Sequence, residues 1–216
     1  MSVSTKPAPA VPPHLPEGLV LPQELWPSIL EAYGTPGRAY HNTRHLYAVL
    51  ERFAEVSGDV GWEHPREVYL ALLFHDAIYD PSARDNEERS AALSARWLGA
   101  LELEPPLEPG RVEQLIRLTA RHGHLGIGDV TADEGLFLDC DLSIIGADPD
   151  VYDRHEADVA KEYAAIPEPL FRAGRRAFLE QLLQRERRFL SPYFHARLDR
   201  AARGNLERAL KSLEPS

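Results

Sequence analysis

Residues 68–76 read Val-Tyr-Leu-Ala-Leu-Leu-Phe-His-Asp, a run that is apolar until its last two residues. A helix with apolar side chains on every face is buried, so this run predicts a helix at the centre of the fold. Burying the ionised carboxylate of Asp76 there costs several kcal/mol unless a cation or hydrogen-bond donors compensate. Two hypotheses follow, and this stretch alone does not choose between them. His75 and Asp76 either bind a divalent metal or form a hydrogen-bonded pair in the core.

Nearly every segment outside this run has apolar residues at helical spacing, and no long alternating segment typical of a β-strand occurs. Proline lies at or near the start of several predicted helices, where it fits the first turn. The predicted helices cover roughly residues 23–33, 42–57, 65–79, 86–101, 109–122, 131–145, 149–165, 168–188 and 192–213. We therefore predict an all-α, single-domain helical bundle over residues 23–216.

The N-terminal residues 1–22 have a different composition from the rest of the chain. They contain Pro7, Pro9, Pro12, Pro13, Pro16 and Pro22. Proline lacks the backbone amide that a helix interior or a central strand needs. We therefore predict that residues 1–22 form a disordered, mobile, Pro-rich arm.

Charge and cysteine content exclude several classes of function. The chain has 24 Lys and Arg against 34 Asp and Glu, a net charge of −10, which argues against general nucleic-acid binding. Cys140 is the single cysteine, which excludes an internal disulfide and a cysteine-based zinc site. No apolar run is long enough for a membrane span, and the N-terminus lacks the pattern of a secretory signal. We expect a cytoplasmic protein without membrane or nucleic-acid partners, and we leave a homodimer open.

Three segments of the sequence carry side chains that could bind a metal. His41 and His45 are four residues apart, so on a helix they would share one face. Asp141 is surrounded at helical spacing by apolar residues, which predicts that it is more deeply buried than Asp139 and more in need of a cation. His45, His75, Asp76 and Asp141 together form a set of two imidazoles and two carboxylates. This set suits one or two ions of Mn, Fe, Zn, Co or Mg and leaves positions for water and substrate.

The order of these residues resembles the metal-binding signature of the HD-domain superfamily of metal-dependent phosphohydrolases, which has an all-α fold. The chain is most similar to a small bacterial group of predicted phosphohydrolases in that superfamily, from about residue 24 to the end. The matching stretches are residues 40–45, 74–80, 86–91, 137–146, 174–175 and 202–206. The resemblance implies that His45, His75, Asp76 and Asp141 bind the metal.

The segment Tyr40-His41-Asn42-Thr43-Arg44-His45 also resembles the signature of cyclic-nucleotide phosphodiesterases. In those enzymes the first histidine protonates the leaving oxygen and the second binds metal. The resemblance therefore implies that His41 is a catalytic acid. The chain has no counterpart of their glutamine pocket for the purine, which argues against a cyclic-nucleotide substrate.

Four further residues are candidates for the same site, each with an alternative role. His122 could hold a second metal or a phosphate oxygen, or it could interact with the dipole of the helix that it ends. Glu87 could orient a metal-bound water, although Asp85 and Glu88 near it fit a capping box. Tyr79 could line the substrate site. Arg175 could bind a substrate phosphate or form a surface ion pair.

The function that we expect is hydrolysis of a phosphoester bond in a nucleotide or another small phosphorylated metabolite, as a phosphomonoesterase or phosphodiesterase. A metal-activated water would be the nucleophile, and His41, or otherwise His122, would protonate the leaving group. Two alternatives remain: a di-iron oxygenase of the HD type, and a metal-stabilised helical module that binds without catalysis.

Overall fold

The computed structural model describes residues 11–99 and 106–214, and over these ranges the chain is helical without strands. This confirms the predicted all-α class. The α-helices are α1 (Leu25–Tyr33), α2 (Thr43–Asp59), α3 (Pro65–Phe74), α4 (Asn86–Leu98), α5 (Pro109–Thr119), α6 (Ala132–Leu142), α7 (Pro149–Glu162), α8 (Glu168–Gln184) and α9 (Pro192–Ser212). Short 3₁₀ helices cover Ile127–Asp129 and Ser143–Gly146. None of the described helices is both long and apolar enough to cross a membrane.

Helix α3 is the central element, as its apolar sequence predicts. Every residue from Glu67 to Phe74 is buried, and the helix is surrounded by α2, α4, α5 and α6. The helix ends at Phe74, earlier than the predicted end at residue 79, and His75 is its C-terminal cap. His75 and Asp76 therefore lie just beyond the end of the central helix rather than inside it.

The prediction of a mobile arm is wrong for residues 11–22, which pack against the helical body. Leu19 is only 3 % exposed and belongs to the hydrophobic core. The hydroxyl of Tyr69 on α3 donates a hydrogen bond to the carbonyl oxygen of Pro13 at 2.6 Å. The prolines prevent a helix or strand in this segment, but they do not prevent it from packing against the body. The side chain of Leu19 and the carbonyl oxygen of Pro13 provide the contacts. Residues 1–10 of the predicted arm lie outside the described residues.

Replacing Leu19 by alanine is expected to destabilise the protein. Removal of a buried leucine side chain costs about 2–5 kcal/mol, which for a chain of this size lowers the thermal midpoint by roughly 5–15 °C. Differential scanning calorimetry measures this change. Val20→Ala is the matched control, because Val20 is 70 % exposed. Equal midpoints for the two variants would show that this segment is not docked in solution.

Candidate metal centre

Three helix ends bring the four predicted ligands to one place. His45 lies in the first turn of α2, which the side chain of Asn42 caps by accepting a backbone hydrogen bond. His75 caps the C-terminus of α3, and Asp76 is the next residue. Asp141 lies in the last turn of α6. Each side chain is thus held at the rigid end of a packed helix.

The ligand atoms of these four residues converge on one point. Nε2 of His45 lies 2.9 Å from Nε2 of His75. Oδ2 of Asp76 lies 3.4 and 3.3 Å from these two nitrogens. Oδ1 of Asp141 lies 3.2 and 3.6 Å from the same nitrogens. One ligand atom from each of the four residues lies within 4.8 Å of the other three.

These spacings fit the coordination sphere of one metal ion. Metal bonds to imidazole nitrogen and carboxylate oxygen are about 2.1 Å long. Two ligands of one ion are therefore about 3.0 Å apart at a right angle and about 3.4 Å apart at the tetrahedral angle. The two imidazole nitrogens face each other, and two N–H groups at this distance would repel. A single cation between them would instead accept a lone pair from each nitrogen. The observed group of side chains could therefore hold a metal ion, as the sequence predicts.

Hydrogen bonds behind the ligands orient them. Nδ1 of His75 lies 2.9 Å from the carbonyl oxygen of Leu72, which can only accept, so Nδ1 carries the proton and leaves Nε2 free for a metal. The hydroxyl of Tyr33 accepts a hydrogen bond from the amide of Asp76 at 3.2 Å. Arg38 donates to the carbonyl oxygen of Asp76 at 2.6 Å. The backbone at the end of α3 is thus fixed from two sides.

The electrostatics of the cluster also favour a cation. Burial alone would lower the pKa of His45, but hydrogen bonds to Asp141 and Asp76 outweigh burial and raise it. Burial alone would raise the pKa of Asp141, but hydrogen bonds to His45 and His75 hold that pKa well below its usual range. Ionised carboxylates beside basic imidazoles bind a metal in place of the protons, so a metal and protons compete for this site.

The structure corrects the reason for preferring Asp141 to Asp139 as a ligand. Asp139 is the more deeply buried residue, with 1 % exposure against 19 % for the side chain of Asp141. Asp139 accepts hydrogen bonds from the amides of Leu190 and Ser191 at 2.8 and 2.7 Å and from the Ser191 hydroxyl at 2.6 Å. It therefore fixes the connection between α8 and α9. Asp141 lies in the last turn of α6, where its side chain is partly exposed and belongs to the ligand cluster.

His41 precedes α2, so the prediction that it shares a helix face with His45 is wrong. Its ring lies 5.7 Å from that of His45 and stacks on Tyr79 with 4.1 Å between ring centroids. Glu162 at the end of α7 holds it: Oε2 lies 2.7 Å from Nδ1, and Oε1 accepts the amides of His41 and Tyr40, both at 2.8 Å. Despite burial, the hydrogen bonds from His41 hold the pKa of Glu162 below its usual value. The ionised carboxylate can only accept, so Nδ1 carries a proton and Nε2 is free.

Sequence reasoning missed Glu162, which lies 121 residues away from His41 in the chain. In the sequence it is one of many acidic residues on a predicted helix, and no motif marks it. The sequence also left out Tyr33 and Arg38, which support Asp76. Only the tertiary fold brings these residues to the site.

A cavity of about 550 Å³ opens beside the ligand cluster. Asp76 and Asp141 line this cavity. All of the other candidates that were named for catalysis or substrate binding line it too, namely His41, Tyr79, Glu87, His122 and Arg175. The structure thus brings every predicted site residue either to the cavity or to the ligand cluster at its wall.

His122 lies at the edge of the ligand cluster. Its Nδ1 is 3.5 Å from Oδ2 of Asp141, and its Nε2 is buried without a hydrogen-bond partner. Burial lowers the pKa of His122, which favours the neutral form of its ring. The helix that it was predicted to end stops at Thr119. A neutral ring gains little from a helix dipole, so its position beside Asp141 favours the role at the site.

Arg175 is held by other protein groups rather than free in the cavity. Its Nε donates to Glu156 at 3.0 Å, and a terminal nitrogen donates to the second oxygen of the same carboxylate. That nitrogen also lies 3.2 Å from Nε2 of His155. The guanidinium lies over the ring of Phe178, 5.0 Å from its centroid. Arg175 therefore forms the ion pair that was the alternative to phosphate binding, although it does so at the cavity wall.

Comparison of the chain with family models, with curated proteins and with solved structures finds no match. What can be said of its function therefore rests on the residues and the geometry of this site.

Proposed function

We propose that the protein is a metal-dependent phosphohydrolase of the HD type, which hydrolyses a phosphoester in a small phosphorylated metabolite. The observation that carries this proposal is the position of His41. Its ring is held by Glu162 at the wall of the cavity that Asp76 and Asp141 also line. A possible acid therefore lies next to a group that could hold a Lewis acid, with room for a substrate between them.

In this proposal His45, His75, Asp76 and Asp141 would hold a divalent ion. Such an ion polarises a phosphoryl oxygen and lowers the pKa of water. His41, as the imidazolium with protons on both ring nitrogens, would donate the Nε2 proton to the leaving oxygen, while Glu162 orients the ring through Nδ1. Glu87 orients the attacking water from the first turn of α4.

The position of Glu162 also favours catalysis over the two alternative functions. A module that only binds a metal has no need of a buried carboxylate that holds a histidine at a cavity wall. The described part of the chain contains one group of three or more His, Cys, Asp or Glu residues that could hold a metal, so the second iron of an oxygenase would have to share ligands with the first. Neither alternative has a specific observation in its favour.

Removal and restoration of the metal tests the proposal directly. The purified protein is expected to contain a divalent metal by elemental analysis. It should release phosphate or nitrophenolate from a panel of nucleotides, sugar phosphates and nitrophenyl phosphate mono- and diesters. A chelator should abolish hydrolysis, and one of Mn²⁺, Fe²⁺, Zn²⁺, Co²⁺ or Mg²⁺ should restore it. A metal-loaded protein that hydrolyses none of these compounds would contradict the proposal.

Replacing Glu162 by glutamine is expected to lower kcat by about 10- to 100-fold, because loss of a supporting hydrogen bond costs about that much. The ring of His41 would lose its charged acceptor but not its place. Metal content and KM should therefore change little. Asp158→Asn is the matched control, since Asp158 lies one turn earlier on α7 and pairs with Arg44 and Lys161. Metal loss in Glu162→Gln would mean that this carboxylate supports the ligands rather than the acid.

A further inference from the structure

Apart from Arg175, the residues of α8 that line the cavity have no polar side chain. Leu170, Phe171 and Phe178 on this helix line the cavity, and Ile144 and Ile166 line it as well. Leu170 is 66 % exposed although it is a large apolar residue in contact with the cavity. These side chains have no part in the proposed chemistry, so they are available to contact the rest of a substrate.

The same cavity has little positive charge to offer a second phosphate group. Among its described lining residues, Arg175 is the one with a permanently cationic side chain, and Glu156 already neutralises it. Asp76, Asp141 and Glu87 contribute carboxylates to the lining. A bound divalent ion would balance Asp76 and Asp141. One phosphate group could therefore be held at the metal. Further phosphate groups would meet the carboxylate of Glu87 and, among the described residues that line this cavity, no unpaired Lys or Arg side chain.

We propose that the substrate carries a single phosphate group esterified to an aliphatic or aromatic group, and that this apolar group lies against Leu170, Phe171 and Phe178. A nucleoside diphosphate or triphosphate would fit the cavity poorly. This inference rests on the proposed function, since it places the phosphate at the metal. The volume of about 550 Å³ is within the range of small-molecule sites.

Gly174 provides a way to block the apolar part of the cavity without disturbing the fold. It lies in α8, lines the cavity, and a Cβ atom built on it meets no atom within 4 Å. The Cβ atom of Gly174→Leu therefore meets no clash, and leucine favours a helix more than glycine does. Gly204→Leu is the matched control, because Gly204 lies on α9 with equally open surroundings and does not line the cavity.

Binding of phosphonates to the Mn²⁺-loaded protein tests the proposal without requiring turnover. Isothermal titration calorimetry compares methylphosphonate with 3-phenylpropylphosphonate, which share one charged group, and with the methylene analogue of ADP. Burial of one aromatic group should make the phenylpropyl compound bind about 10- to 100-fold more tightly than the methyl compound. It should also bind more tightly than the ADP analogue. Gly174→Leu should reduce the preference to less than about threefold, while Gly204→Leu keeps it.

Equal affinities for the two phosphonates, tighter binding of the ADP analogue, or an unchanged preference in Gly174→Leu would each overturn the inference. Its failure can be told apart from failure of the proposed function. If the phenylpropyl preference holds but 3-phenylpropyl phosphate and its nitrophenyl diester are not hydrolysed, the apolar subsite stands and the hydrolase proposal fails. If esters are hydrolysed without any such preference, the hydrolase proposal stands and the apolar subsite fails.

Discussion

Replacing Asp141 by asparagine is expected to remove the metal, whereas Asp139→Asn, the same change two residues earlier on α6, is expected to leave it bound. Oδ1 of Asp141 lies 3.2 Å from Nε2 of His45, so the substitution would remove a charged group from the predicted ligand set. The loss of metal affinity should exceed the roughly 10- to 100-fold that loss of a supporting hydrogen bond costs. Hydrolysis should be lost with the metal. Elemental analysis after dialysis against metal-free buffer measures the difference.

The Asp139→Asn variant has its own expected effect, which makes it an informative control. Its carboxylate accepts hydrogen bonds from Leu190 and from Ser191 where the chain passes from α8 to α9. An amide nitrogen in place of one oxygen leaves at least one buried donor without an acceptor. Such a loss costs about 1–3 kcal/mol of stability. Thermal unfolding should therefore respond to Asp139→Asn. If instead it is this variant that loses the metal, the ligand assignment on α6 is wrong.

The ligand on α6 shows what helical periodicity can predict and what it leaves open. Periodicity tells which residues share a helix face, and it led to Asp141, but it does not tell what lies opposite each face. The sequence implied that the more buried aspartate would need the metal. In the structure the more buried one, Asp139, is satisfied by backbone amides from a segment about fifty residues away. Hydrogen-bond donors thus offset part of the cost of burying this carboxyl group, although burial still raises the pKa of Asp139 to about 7. Only the tertiary fold identifies such donors.

The predicted fold class held for a simpler reason. An apolar helix such as α3 has to be central whatever its neighbours are, so its burial follows from composition alone. Docking of residues 11–22 depends instead on contacts such as the one between Tyr69 and Pro13, which composition does not show. The same limit explains why sequence analysis did not identify Glu162 as the partner of His41. A glutamate near the end of a polar helix has no local signal that it will meet a histidine from another part of the chain.

Replacing His41 by asparagine is expected to show whether this histidine acts as a general acid or as a metal ligand. His41 lies before α2, and its Nδ1 is engaged by Glu162. His45, His75, Asp76 and Asp141 could supply four ligands to a metal ion, and catalysis would require vacant positions for water and substrate. The variant should therefore keep its metal and lose turnover by about 10²–10⁴-fold, the usual contribution of general acid catalysis. Elemental analysis and steady-state kinetics on the same preparation measure the two effects.

The dependence on the leaving group identifies the step that His41 assists. An alkoxide leaving group needs a proton, whereas nitrophenolate leaves without one, so the loss in His41→Asn should shrink markedly for nitrophenyl esters. A histidine that only shaped the cavity would affect both kinds of ester equally. His124→Asn is the control, because His124 is exposed and does not line the cavity. Loss of metal together with activity in His41→Asn would make His41 a ligand. The acid would then have to be sought elsewhere, first at His122, whose buried Nε2 has no partner.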